Sequence, residues 1–206
     1  NQARNEFEMI RRYRDMAIHP EVDSAVDEVV NEFIVSDAYD SPVEINLDNL
    51  GVGAGVKTKI RNEFEYLKRL LNFDNRAHEI VRTWYIDGRL FYHKVIDLDN
   101  PKKGITELRY IDPMKIKKVR QKIDNTPKDS LAKAAIKGTA LEYEYGTFVD
   151  YYLYNPKGFY KGGVLGPIGD MSLSQGVKMA TDSITFCPSG LQDLNKRMTL
   201  GFLHKA

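Results

Sequence analysis

The residues best spaced for chemistry lie between Val43 and Phe64, in VEINLDNLGVGAGVKTKIRNEF. A short alternating segment, the glycines Gly51, Gly53 and Gly55, then Lys57-Thr58 and an amphipathic stretch follow in the order of a phosphate-binding loop. Such a loop works because glycine lets successive backbone N–H groups converge on phosphate oxygens at a helix N-terminus, where the helix dipole favours an anion. A Walker A loop requires Gly-Lys-Thr without interruption. Here Val56 separates Gly55 from Lys57, and no apolar strand downstream ends in an Asp suited to hold Mg²⁺. Gly51–Thr58 therefore reads first as a flexible connector. A P-loop-like nucleotide-binding enzyme is the third reading of the chain, behind two structural ones.

The other reactive side chains are dispersed. Asp97 and Asp99 could share one face of a strand and present paired carboxylates, but Asn100-Pro101 follows at once and Asp commonly initiates a turn. His78, His93 and His204 are far apart, and no HxH or HExxH spacing marks a zinc site. His19 precedes Pro20 and reads as a helix-junction residue that helps to cap. Ser189-Gly190 lacks the Gly-x-Ser-x-Gly frame of a nucleophile elbow. The aromatic run Tyr143, Tyr145, Tyr151, Tyr152, Tyr154, Tyr160 could stack on unpaired bases. Glu142, Glu144 and Asp150 interleave with it where Lys or Arg would be needed, so sheet core or a protein-facing surface fits better. These patterns assign no catalytic, cofactor-binding or metal-binding residue.

Composition is ordinary and near-neutral. The 206 residues are 42% hydrophobic and 29% charged, and 30 Lys plus Arg against 29 Asp plus Glu give a net charge of +1. That length buries a real core as one domain or two small ones. Near-neutrality excludes a chain built as a whole to grip phosphates. The lone Cys187 cannot form an intrachain disulfide and fits a reducing compartment such as a bacterial cytoplasm. No segment approaches the roughly 18 apolar residues of a membrane span, and no secretory signal stands out. The chain opens at Asn1 without Met and closes on TLGFLHKA with no Gly or Pro stop, so it reads as an internal piece of a longer polypeptide.

The elements that must position these residues begin as helices. Phe7, Ile10, Tyr13 and Ala17 keep helical spacing over Glu6–Ala17. Pro20 starts a second helix, with Glu21 and Asp23 in its first turn and Val22, Val26, Val29, Val30 and Phe33 as its stripe. Val43–Leu47 alternates and reads as a strand. Gly51–Gly55 reads as a loop, and Lys59–Leu71 as a helix with Ile60, Phe64, Leu67 and Leu71 on one face. A further helix from about Asn75 runs to Ile86. Asp87-Gly88 admits a hairpin turn or a helix stop with glycine in the left-handed region, and the spacing of Phe73, Ala77, Ile80 and Trp84 favours the stop. Leu90–Asp97, Thr106–Ile111 and Ile116–Ile123 read as strands and Asn125–Lys137 as a mobile insertion. Glu142–Tyr154 reads as two strands around Gly146, and Lys157–Gly176 is poorly specified. Ile184–Cys187 reads as a last strand and Met198–Ala206 as the opening of a helix. Helices before strands predict an α+β fold, with N-terminal amphipathic helices packed on a mostly antiparallel sheet.

One succession is specific enough to identify kin. WYIDGR leads into LFYHKVID, then the turn and strand PKKGITELR, then Asp112-Pro113. This order resembles the portal proteins of contractile-tailed, T-even-like bacteriophages, where WYxDxR, F-[FY]-H-K-[VI]-I-D, P-K-x-G-I-x-E-L-R and a DP step follow one another. YRDMAIHPEVDSAVDEVVNEFIV resembles the helix pair of those proteins, and VEINLDNL with KIRNEFEYLKRLLNF the strand and helix after it. ITFCPSGLQD and LGFLHKA resemble a later strand, an S-G-L step and I-G-[YF]-L-H-[RK]-A. The likeness covers most of residues 8–123 and 184–206, and leaves 124–183 unmatched.

The resemblance implies a structural subunit of a twelve-subunit portal ring at the unique capsid vertex of the virion, assembled in the host bacterial cytoplasm. It implies roles in head assembly, double-stranded DNA packaging and ejection, and neck and tail attachment. Its partners would be further copies of the chain, the major capsid protein, the packaging motor (terminase) and neck proteins, with DNA passing through the channel and no membrane required. The segment would be the peripheral wing domain, residues 1–206: a helical part over about 1–88, a β-rich part over about 89–190, and the start of a stem helix over about 198–206. No catalytic residue, metal or cofactor is implied. Another phage or prophage adaptor is the second reading. Phe64, Leu67, Leu71 and Trp84 are expected to dominate packing.

Overall fold

A computed structural model describes residues 5–34, 41–124, 146–159, 176–193 and 198–205. The expected Asn125–Lys137 insertion, residues 142–145 and most of Lys157–Gly176 lie outside these residues. The fold is α+β. Four helices come first: α1 (Glu6–Met16), α2 (Pro20–Phe33), α3 (Ala54–Leu71) and α4 (Phe73–Asp87). Eight strands follow among the described residues: β1 (Arg89–Ile96), β2 (Ile105–Ile111), β3 (Ile116–Asp124), β4 (Gly146–Tyr154), β5 (Val177–Ala180), β6 (Ile184–Pro188), β7 (Gln192–Asp193) and β8 (Met198–Thr199).

The chain divides into two compact units, residues 1–114 with 185–206, and residues 115–184. In the first unit, local chemistry sets each helix boundary. Asn5 caps α1 by accepting a hydrogen bond from the Glu8 N–H at 2.8 Å. Pro20 opens α2 with Glu21 and Asp23 in its first turn. His19 takes the N-cap position, yet its side chain makes no capping bond. Asn72, left-handed at φ 49°, breaks α3 from α4. Gly88, at φ 71°, stops α4, and its N–H donates to the Trp84 carbonyl at 2.9 Å. The helix-stop reading of Asp87-Gly88 therefore holds over the hairpin.

Two expected elements differ. Val43–Leu47 is not a strand; it runs as irregular chain in which Leu47 alone is buried. The Gly51–Gly55 loop is shorter than expected, because Gly53 is the N-cap of α3 and Ala54 already its first residue. The core is also elsewhere. Met9, Tyr13 and Ala17 of α1, Val26 and Val30 of α2, Ile86 of α4 and Leu203 form one buried cluster. Leu67 is 41% exposed, Phe64, Leu71 and Trp84 are half-buried, and the one buried residue of α3 is Lys68. The apolar stripe of α3 thus does not dominate packing in this chain.

In the same unit β1 pairs antiparallel with β2, from Phe91 opposite Ile111 to Ile96 opposite Ile105, and β6 completes the sheet in the order β2-β1-β6. Phe91 stacks on Phe186 with centroids 4.9 Å apart. β7 and β8 form a two-stranded ribbon. Met198-Thr199 is therefore strand, and helical geometry resumes only in the 3-10 turn Phe202–Lys205.

The second unit is a three-stranded sheet of order β3-β4-β5, with β4 antiparallel to both neighbours. Tyr151, Tyr152 and Leu153 of β4 and Ile116 of β3 are buried. Of the tyrosines seen in the sequence, Tyr151 and Tyr152 are thus sheet core and Tyr154 is half-buried, while Tyr143, Tyr145 and Tyr160 lie outside the described residues. Asp150 pairs with Lys118 at 3.1 Å and Arg120 at 2.7 Å, and the two cations hold its carboxyl well below the ordinary range, at about 2.

Candidate functional site

The most constrained place in the first unit is the joint between α4 and β1, Asp87-Gly88-Arg89, where all three residues are buried. Arg14, one turn from the end of α1, grips Asp87 with a two-pronged fork: Nε to Oδ1 at 2.9 Å and Nη2 to Oδ2 at 2.6 Å. The same guanidinium reaches Asp112, just past β2, at 2.9 Å. Asp112 also accepts from the Met114 N–H at 2.9 Å. Planar bidentate geometry is what distinguishes arginine from lysine here.

The partners respond in opposite ways. Asp87 and Asp112 hold the Arg14 guanidinium further above its ordinary value. Burial pushes the Asp87 carboxyl up, and the Arg14 hydrogen bonds and charge only partly counter it. The difference follows from exposure: 37% of the Arg14 side chain meets solvent against 2% of that of Asp87.

Arg89 adds a second cation, and this one is buried. It pairs with Glu6 of α1 at 3.1 Å, and its guanidinium also donates to the Thr199 carbonyl of β8. Between the two arginines the backbone comes very close. A Cβ on Gly88 would lie 2.4 Å from the Leu200 carbonyl oxygen, and one on Gly201 would lie 2.5 Å from that of Ile86. The Ser189 N–H donates to the Gly88 carbonyl at 2.7 Å, and its hydroxyl donates to the Leu200 carbonyl at 2.6 Å. Tyr13 meets His204 Nδ1 at 2.8 Å through its hydroxyl. Phe202 stacks on Tyr85, with centroids 4.8 Å apart and planes at 8°, and meets Trp84 at 5.1 Å. Five stretches of chain are thereby pinned at one point: α1, the α4–β1 joint, the end of β2, Ser189, and residues 199–204.

The sequence candidates are spread over other tasks. Lys57 Nζ donates to the Asp48 carbonyl at 3.4 Å, and the Thr58 hydroxyl donates back to the Ala54 carbonyl at 3.1 Å. The Val56 and Lys57 N–H groups both donate to the Gly53 carbonyl, so they do not converge on open space, and among the described residues no strand precedes the loop. Asp97 accepts from the Asp99 N–H and pairs with Lys103, as a turn residue does. His93 stands opposite Arg109 in the β1–β2 ladder. Ser189 and His204 have separate partners, and among the described residues no group of His, Cys, Asp and Glu could hold a metal ion. Among these residues no helix is long and apolar enough to cross a membrane. Arg14 and Asp112 escaped the search for reactive pairs. The available signal was their setting, since both sit inside the recognised motifs Tyr13-Arg14 and Asp112-Pro113.

The node is built to hold backbone. Asp87 is sealed, and the Arg14 guanidinium is shared between two carboxylates. Comparison with known proteins agrees with the motifs. The family model described as Bacteriophage T4-like portal protein (Gp20) matches residues 6–206, including 124–183 where no motif was recognised. The portal protein of Vibrio phage KVP40 is 33% identical over 184 residues, which is 89% of this chain and 33% of that protein. The portal protein of Salmonella phage ViI is 38% identical over 112 residues, 54% of this chain and 20% of that protein. The matched segment thus spans a third or less of these relatives. This chain belongs to the T4-like phage portal protein family.

Proposed function

We propose that the chain is the wing portion of a phage portal subunit and acts by shape and protein contact, with no catalytic step of its own. Twelve copies of the intact polypeptide would form a ring at the unique capsid vertex, serving head assembly, passage of double-stranded DNA during packaging and ejection, and neck attachment. The wing would face the major capsid protein. Contacts with the packaging motor and the neck would fall to parts of the polypeptide outside this segment.

The observation that carries this reading is the family match along residues 6–206. The α4–β1 joint supports it physically. Arg14, the buried Arg89, two abutting glycines and an aromatic stack hold residues 199–204 against that joint, as a rigid peripheral domain attached to a tunnel-lining helix would require.

Negative-stain imaging of the intact native polypeptide tests the proposal. Closed rings with a central channel are the expected result. Monomers or open assemblies would overturn it and leave the phage adaptor reading.

A further inference from the structure

Little joins α3 to the rest of the first unit. It supplies no side chain to the buried cluster built on α1, α2 and α4, and its one buried residue is Lys68. Two polar tethers reach from its last two turns to distant chain. The Tyr66 hydroxyl donates to the Ile105 carbonyl at 2.9 Å, and Lys68 Nζ donates to the Ser41 hydroxyl at 2.8 Å. Upstream, the side chains of residues 54–63 bond, among the described residues, only within the helix and to the chain just ahead of it. The Thr58 hydroxyl donates to the Ala54 carbonyl and Lys57 to that of Asp48. Of those residues only Lys57 and Ile60 are even partly covered. Both ends of α3 are turning points. Asn72 alone links it to α4, left-handed at φ 49° and ψ 44°. That conformation is strained for a residue with a Cβ, and asparagine is among the few that tolerate it. At the other end residues 48–53 form neither helix nor strand and are all exposed.

We propose that α3 is a hinged arm, which opens about Asn72 and residues 48–53 while the core of α1, α2 and α4 stays folded. An element with few buried apolar contacts opens locally, at a lower free energy than the whole domain. Here the closed state is held by two tethers and a half-covered stripe, and opening bares Ile60, Phe64 and Leu71 of that stripe. Released from its contacts, the helix loses the packing that supplies most helical stability, so its amides exchange with solvent. The arm moves independently of the core because it contributes nothing to it. The inference does not depend on the ring reading above.

Hydrogen exchange read by mass spectrometry on the intact native polypeptide tests it. Peptides from α3 are expected to show protection at least about tenfold below those from α1 and α2. Two variants separate local from global opening. Tyr66→Phe removes one tether and is expected to lower protection in α3 by about fivefold, the equivalent of one net hydrogen bond, with α1 and α2 unchanged. Ile86→Val thins the core by one methylene, mild enough to keep it folded. It is expected to lower protection in α1 and α2 and to leave α3 unchanged. Equal protection in the three helices of the parent, or a variant that shifts all three together, means that α3 opens only with the core and overturns the proposal. An α3 that Tyr66→Phe leaves unmoved overturns it as well.

Discussion

Arg14→Met is the most informative single perturbation of the joint. It keeps the aliphatic stem and removes the fork that holds Asp87 at 2.9 and 2.6 Å. Breaking a buried pair by deleting one partner costs about 3–5 kcal/mol, because the remaining charge is left uncompensated. The lower end applies, about 3 kcal/mol, since Arg14 keeps 37% of its side chain in water and Asp87 can take up a proton instead. With a urea m-value of about 2 kcal/mol/M, the midpoint falls by roughly 1.5 M. Trp84, the single tryptophan, lies against Phe202 and reports the unfolding of the first unit by fluorescence.

The sign of the pH dependence is the sharper part. Burial already raises the Asp87 carboxyl above its ordinary value, opposed chiefly by the Arg14 hydrogen bonds and charge. Removing Arg14 raises it further. A group whose folded pKa exceeds its unfolded value contributes fully below the unfolded pKa and loses that contribution as pH rises through the folded one. The deficit of Arg14→Met must therefore be smaller at pH 5 than at pH 8. Adding Asp87→Asn to the variant removes the buried charge and should recover about 1–2 kcal/mol at pH 8. A deficit below about 1 kcal/mol at pH 8, an equal deficit at both pH values, or no recovery with Asp87→Asn would refute the account of the joint as a buried, charge-compensated lock.

Two further predictions follow from the same structure. Gly88→Ala meets both left-handed strain and a Cβ 2.4 Å from the Leu200 carbonyl, whereas Gly190→Ala, at φ 85° with nothing within 4 Å, meets strain alone. Urea melts should show about 1–2 kcal/mol lost for Gly190→Ala and at least about 2 kcal/mol more for Gly88→Ala; equal losses would mean that residues 200–201 do not press on the joint. Asp150, held near pKa 2 by Arg120 and Lys118, contributes stability above the ordinary carboxyl pKa that is lost as pH falls through about 2. Its carboxyl carbon shift should titrate near 2 and move up in Arg120→Met, and a midpoint unchanged by that substitution would sink the pairing.

What was legible in the sequence was local. The Pro20 start, the Gly88 stop and the strands β1 and β2 each rest on a few adjacent residues whose φ preference or alternation is intrinsic. Val43–Leu47 shows where that reasoning ends. Its alternation is compatible with a strand, but a strand also needs a partner, and the described residues supply none there. Gly53 and Gly55 suggested a loop on composition, but glycine is also an accepted N-cap, and Gly53 takes that position with Gly55 in the first turn of α3. Arg14, Asp87 and Asp112 are separated by tens of residues, and no periodicity links distant charges. Only burial shows that they compensate one another.

The stripe of α3 gives the complementary lesson. Ile60, Phe64, Leu67 and Leu71 recur at helical spacing, and that spacing was read as a face packed within the chain. Periodicity reports that a face is apolar; it is silent on whether its cover comes from the same polypeptide. Here Leu67 is 41% exposed and the buried residue of α3 is a lysine, while α1, α2 and α4 form a closed core without it. Among the described residues the stripe is only partly covered: Ile60, Phe64 and Leu71 are half-buried, and α3 meets α4 and β2, to which the Tyr66 hydroxyl donates at the Ile105 carbonyl.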